Sequence, residues 1–206
     1  MPTTFSRTAR YFAALIAVAV FASLAVQITI NVTPDTSPLL AFGRMMRFFT
    51  IWTNLAAGLT FGWIAWRGDA DRRVLFSLAT AIVIVGVVYH LLLSAEHHPV
   101  GWDWYTNQMF HTLIPIATVA WWLIYSRLAL LTWQSLPVVM LVPVLYTIFA
   151  LINGALTGFY PYFFLDLPKL GWFQLAIANV GLSVLFLAVA AVLLGLRKLI
   201  ALASKA

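Results

Sequence analysis

The chain has 206 residues, 63% of them hydrophobic and 9% charged, with a mean hydropathy of +0.96. A soluble domain is about half apolar and about a quarter charged, so these values exclude a water-soluble fold. The lack of any cysteine removes disulfides, thiolate metal sites and a Cys nucleophile. The net charge of +6, spread over the ends of apolar segments, reads as topology and lipid headgroups rather than nucleic acid.

In chain order, apolar runs of membrane-crossing length predict six transmembrane helices at 11–31, 45–66, 74–94, 106–125, 134–156 and 171–196. The first is too long for the apolar core of a signal peptide and reads as a retained helix. Pro and turn residues in 34–43 break the chain between the first two spans, and the charged stretch 67–73 separates the second from the third. One all-α domain, 1–206, is expected, with no room for a separate soluble unit.

Orientation follows from the basic residues. With the N-terminus cytoplasmic, Arg7, Arg10, Arg67, Arg72, Arg73, Arg127, Arg197, Lys198 and Lys205 lie inside, and Arg44, Arg47 and Lys169 outside. Nine against three predicts both termini inside. No internal repeat, phosphate loop, G-x-S-x-G or H-E-x-x-H pattern is present. The G-x-x-x-G spacings at Gly58–Gly62 and Gly154–Gly158 read as close packing rather than dimerisation.

On this topology the intramembrane polar residues gather at the outer ends of the spans. They are Gln27 and Asn31 in the first, Thr50, Thr53 and Asn54 in the second, and His90 in the third. Asn107 and His111 follow in the fourth, Asn153 in the fifth, and Gln174 and Asn179 in the sixth. Each alone is more often interhelical glue than a site residue. Together they predict a pocket opening outward or into the outer leaflet, not a conduction path, which would need polar groups at both depths.

The reactive candidates there are Thr50, Thr53, Ser94, His90, His97, His98, His111, Glu96, Asp103 and Asp166. A Thr hydroxyl becomes a useful nucleophile when a base takes its proton, and His is the usual base. Thr50 and His111 sit at similar depth, and such a pair facing lipid points to acyl transfer, that is, ester hydrolysis. Asn54, Asn107 and Asn153 are candidate oxyanion donors. The rival is a metal or haem site at His90, His97, His98 and His111. His97 and His98 are adjacent and followed by Pro99, in a loop that points them apart, so no metal is assigned.

Three blocks carry a resemblance. Met46-Arg47-Phe48-Phe49-Thr50, the run Asn107-Gln108-Met109-Phe110-His111-Thr112-Leu113-Ile114-Pro115, and Thr157-Gly158-Phe159-Tyr160-Pro161-Tyr162-Phe163-Phe164-Leu165 resemble the androgen-induced membrane hydrolase family. Its members are multi-span threonine hydrolases that cleave fatty acid esters of hydroxy fatty acids. The likeness covers spans 2 to 6 and looks closest to bacterial six-span members.

It implies Thr50 as nucleophile and His111 as base, in the cell (plasma or inner) membrane, with a membrane lipid or fatty acyl ester as substrate. No cofactor is implied. Asn107 and Asn153 would supply polar support, and Tyr160 a substrate contact. The family's Asp three residues after the Thr is Thr53 here, with Asn54 one further on. A one-residue shift would therefore move the nucleophile to Thr53. The alternative in a different class is a non-enzymatic lipid or small-molecule binder or carrier using the same pocket.

Overall fold

The computed structural model of the chain describes residues 3–126 and 132–203. Arg127 and Lys205, two of the basic residues weighed for orientation, lie outside the described residues. Among the described residues the structure is all-α apart from a two-residue pairing of β1 (Thr3–Thr4) with β2 (Asp69–Ala70) and an isolated bridge between Thr33 and Thr36. The helices are α1 (Arg7–Asn31), α2 (Pro38–Met45), α3 (Phe49–Arg67), α4 (Arg72–Val88), α5 (Gly101–Gln108), α6 (Ile114–Tyr125), α7 (Leu141–Thr157) and α8 (Leu167–Ala203).

Four helical segments are long and apolar enough to cross a membrane: Arg7–Asn31, Arg72–Leu93, Trp133–Thr157 and Leu167–Ala203. A fifth is reached if α2 and α3 count as one broken span. Large apolar side chains cover their flanks, among them Leu15, Val18, Leu59, Leu145, Ile152 and Val184, each about half exposed or more. Such surface has no place in water and suits lipid. The chain has the build of a multi-pass membrane protein.

Three boundaries differ from the sequence expectation. The second span does not start at Met45: α2 and α3 are bent by 106° around residues 46–48, and Phe48 enters α3 in an extended conformation. The stretch 34–43 is partly helical, because Ser37 caps α2 and Pro38 opens it. The run Gly101–Tyr125 falls outside the set of crossing candidates. Its first turns are polar (Asp103, Thr106, Asn107, Gln108), and the apolar part, α6, has 12 residues.

The close contacts have local causes. A Cβ at Gly58 would lie 2.9 Å from Val20 Cγ1, so glycine lets α3 lie against α1. Gly62, one turn on, faces the Ala17 methyl. The second glycine pair does different work, since the Tyr160 ring covers Gly154 and Gly158 ends α7 with φ of 73°. At the other end of the bundle, the Arg10 guanidinium donates to Ala65 O at 2.9 Å and Trp66 O at 2.8 Å. It thereby satisfies carbonyls that the last turn of α3 leaves open. The Trp121 indole N–H likewise donates to Ala9 O at 2.8 Å.

Two π turns interrupt the helices that face each other, at Tyr89–Leu93 after α4 and Met109–Leu113 between α5 and α6. The second has a legible cause. Pro115 has no N–H to offer the His111 carbonyl four residues back, and Ile114 N–H reaches back five residues to Met109 O. The freed His111 carbonyl turns toward α4, where a Cβ at Gly86 would lie 3.1 Å from it. Such turns concentrate at functional sites.

Candidate active site

Thr50 lies in the first turn of α3 and His111 in the π turn between α5 and α6. Their side chains meet: Thr50 Oγ1 is 3.2 Å from His111 Nε2. The other ring nitrogen, Nδ1, is 3.0 Å from the Asn107 carbonyl. A carbonyl can only accept, so Nδ1 carries the proton and the neutral ring presents its Nε2 lone pair to Thr50. The Thr50 hydroxyl therefore donates to Nε2. The Tyr89 ring stacks on the imidazole with centroids 3.9 Å apart, and Asn107 Nδ2 donates to the Tyr89 hydroxyl at 2.6 Å. Tyr89 and Asn107 together fix the plane of the ring.

Thr53 is nearly fully buried, and its hydroxyl donates to Phe49 O at 2.5 Å, one turn back. It does not reach a base. Asn54 is also buried; its Nδ2 donates to Thr50 O at 2.8 Å and to Phe110 O at 3.2 Å. It ties α3 to the π turn through the carbonyls of Thr50 and of Phe110, the residue before His111.

Asn153 and Tyr160, expected to support the same pocket, are used elsewhere. Asn153 donates to Phe159 O at 2.8 Å across the end of α7, and Tyr160 packs over Gly154. Neither lines the cavities at Thr50. The remaining histidines do not join the pair. His90 pairs with the Thr112 hydroxyl at 3.0 Å, and His97 and His98 lie exposed in the loop, His97 edge-on to Tyr89. Among the described residues, no three His, Asp or Glu side chains converge on a point that could hold a metal ion.

Sequence reasoning passed over Tyr162. Its hydroxyl accepts from Phe49 N–H at 3.1 Å, its phenol faces the Thr50 side chain, and it lines both cavities beside Thr50. Burial pushes the Tyr162 phenol up from its ordinary range, so it keeps its proton and can donate. Gly154 separates the two tyrosines: it accepts the Tyr160 ring, and Tyr162 is the one that faces Thr50.

The two cavities have volumes of about 270 and 310 Å³, and Thr50, Leu93 and Tyr162 line both. A nucleophile and base in hydrogen-bond reach, the base oriented by a third group, beside a protonated phenol, is an arrangement able to perform acyl transfer. No protein-family model, curated protein or solved structure matches the chain.

Proposed function

We propose that this chain is an intramembrane lipid-ester hydrolase of the androgen-induced threonine hydrolase type, with Thr50 as nucleophile and His111 as general base. The observation that carries the reading is the 3.2 Å contact of Thr50 Oγ1 with His111 Nε2, backed by Nδ1 donation to Asn107 O. Thr50 Oγ1 attacks the ester carbonyl as its proton passes to Nε2, and the imidazolium gives that proton to the departing alkoxide. Water then attacks the acyl-Thr50 ester with the same ring as base, releasing the fatty acid. The Tyr162 hydroxyl, which lines both cavities at Thr50, and the second Nδ2 N–H of Asn107, which lines one, would serve as donors to the developing oxyanion.

In this reading the chain crosses the cell (plasma or inner) membrane six times with both termini inside. The broken α2–α3 pair and the polar-headed run Gly101–Tyr125 make up the crossings beyond the four long helices. The site then opens at the outer leaflet, where Arg44, Arg47 and the 97–105 segment lie.

The carrier reading uses the same cavities and is favoured by the mostly apolar lining of the smaller one, from Phe49 and Ile84 to Phe186. A fluorophosphonate probe separates the two. Stoichiometric labelling of the wild type that is lost in Thr50→Ala supports the hydrolase. A protein that retains acyl lipids yet never labels supports the carrier.

A further inference from the structure

Helices α7 and α8 leave a gap between them. α7 buries Tyr146, Ala150 and Gly154, one stripe at four-residue spacing, and so meets the bundle along a single line. α8 buries Leu175 and then nothing before Phe186. The two helices scarcely touch each other, and the space between them is the smaller of the cavities at Thr50. Thr147 and Ile148 line it from α7, and Asn179, Leu182 and Ser183 from α8. Val144 and Ile148, on its wall, are each about half exposed. Both helices lie in segments long and apolar enough to cross a membrane, so the mouth of the gap faces lipid.

The gap runs down α4. Thr50 and Leu93 line one end of it, and Ile84, earlier on the same helical segment as Leu93, lies about 13 Å deeper at ~1.5 Å per residue. Half of a bilayer's hydrocarbon is ~15 Å thick, so the gap spans most of one leaflet, with the Thr50 hydroxyl at its headgroup end. A lipid in that leaflet already has this orientation, its ester near the interface and its tail toward the midplane. The lining suits a tail. Val85, Val88, Leu182 and Phe186 are apolar. The polar members on α8 turn donors onto their own helix, Asn179 Nδ2 to Leu175 O at 2.8 Å and the Ser183 hydroxyl to Asn179 O at 2.7 Å. A third apolar groove, between α1 and α6, includes neither Thr50 nor His111.

We propose that the gap between α7 and α8 is the acyl-chain site, filled sideways from the leaflet at the Thr50 end, so that a membrane lipid presents its ester carbonyl to Thr50 without leaving that leaflet. Its part in catalysis rests on the Thr50–His111 hydrolase reading; its occupation by an acyl chain does not.

Thr147→Trp and Ser183→Trp fill the gap, while Leu145→Trp and Val184→Trp, outside the lining and more than half exposed, are controls. The purified full chain and these variants are compared on p-nitrophenyl palmitate and p-nitrophenyl butyrate. The gap-filling variants should lose about tenfold or more in kcat/KM on the palmitate and stay near wild type on the butyrate, with the controls unchanged on both. Equal losses on the two esters, or none on the palmitate, overturn the proposal. Because the chain has no cysteine of its own, Thr147→Cys and Ser183→Cys can be joined by a reducible bis-methanethiosulfonate linker. Linkage should stop palmitate hydrolysis and reduction should restore it; hydrolysis that survives linkage overturns the sideways route. Occupation is read apart from catalysis with oleic acid carrying a mid-chain diazirine, in phosphatidylcholine nanodiscs. It should photolabel residues 140–148 and 179–186, and less so in Ser183→Trp; labelling confined to α1 and α6 overturns the acyl site. Labelling of the gap in a chain that hydrolyses neither ester sinks the hydrolase reading and leaves the acyl site standing.

Discussion

On the proposed hydrolase reading the deciding residue is His111, because its two nitrogens have different partners. One is spoken for by the Asn107 backbone, so the other faces Thr50 as an acceptor. Thr50→Ala and His111→Ala should each remove nearly all ester hydrolysis, and the double variant should cost little more than either, since both act in one transition state. Additive losses in steady-state kcat/KM would speak against a shared role. Thr53→Ala removes a hydroxyl that serves its own helix and should leave the rate close to wild type; loss of activity there would move the nucleophile. If Tyr162 donates to the oxyanion as proposed, Tyr162→Phe should lower kcat by about 10²–10³ with the fold intact. Asn107→Ala keeps the backbone carbonyl that orients His111 but removes the other proposed oxyanion donor and the bond to Tyr89, so it should cost a comparable factor of about 10²–10³ in kcat and fall short of the loss in His111→Ala.

At the scale of elements, glycine and proline place the site. Gly58 brings α3 against Val20 of α1. Gly58→Leu would overfill that contact and should destabilise by about 1–3 kcal/mol, read as a lower unfolding midpoint in detergent. Gly62→Ala, whose Cβ would stand 4.0 Å from the Ala17 methyl, should be tolerated. Pro115 forces the π turn that carries His111 inward. Pro115→Ala allows Met109–Leu113 to close as ordinary α-helix, rotating the ring off Thr50. Its expected signature is a fall in kcat and in fluorophosphonate labelling with little change in unfolding midpoint; unchanged labelling would mean that the turn holds without the proline.

Over the whole molecule, a nine-to-three excess of basic residues on the predicted inner side sets the expected orientation. A reporter fused to the C-terminus should behave as cytoplasmic, and one inserted in the stretch 34–43 as external. The opposite result would move the Thr50–His111 pair to the inner leaflet.

Much of this was legible in the residues. Hydropathy is a property of each segment by itself, so an all-α chain with membrane-length helices follows from composition and run length, whatever the neighbours are. Helix ends with strong local chemistry, such as Ser37-Pro38 opening α2 and Gly158 closing α7, belong to the same class. The reach of Thr50 to His111 across 61 positions is of another kind. It depends on how far α3 slides along α1, where the α5–α6 run breaks, and which of two nearby tyrosines finds a glycine to cover. The same holds for the second span, which its hydropathy presented as unbroken from Met45 and which the packing of Phe48 and Phe49 against Tyr162 and Tyr146 divides at residues 46–48. Asn153 is polar, and it is bonded to its own loop. Side-chain type and depth gave both kinds of residue the same claim on the pocket; contact between helices separated them, because hydrogen bonds and ring packing are set by ångström-scale distances that no single segment encodes.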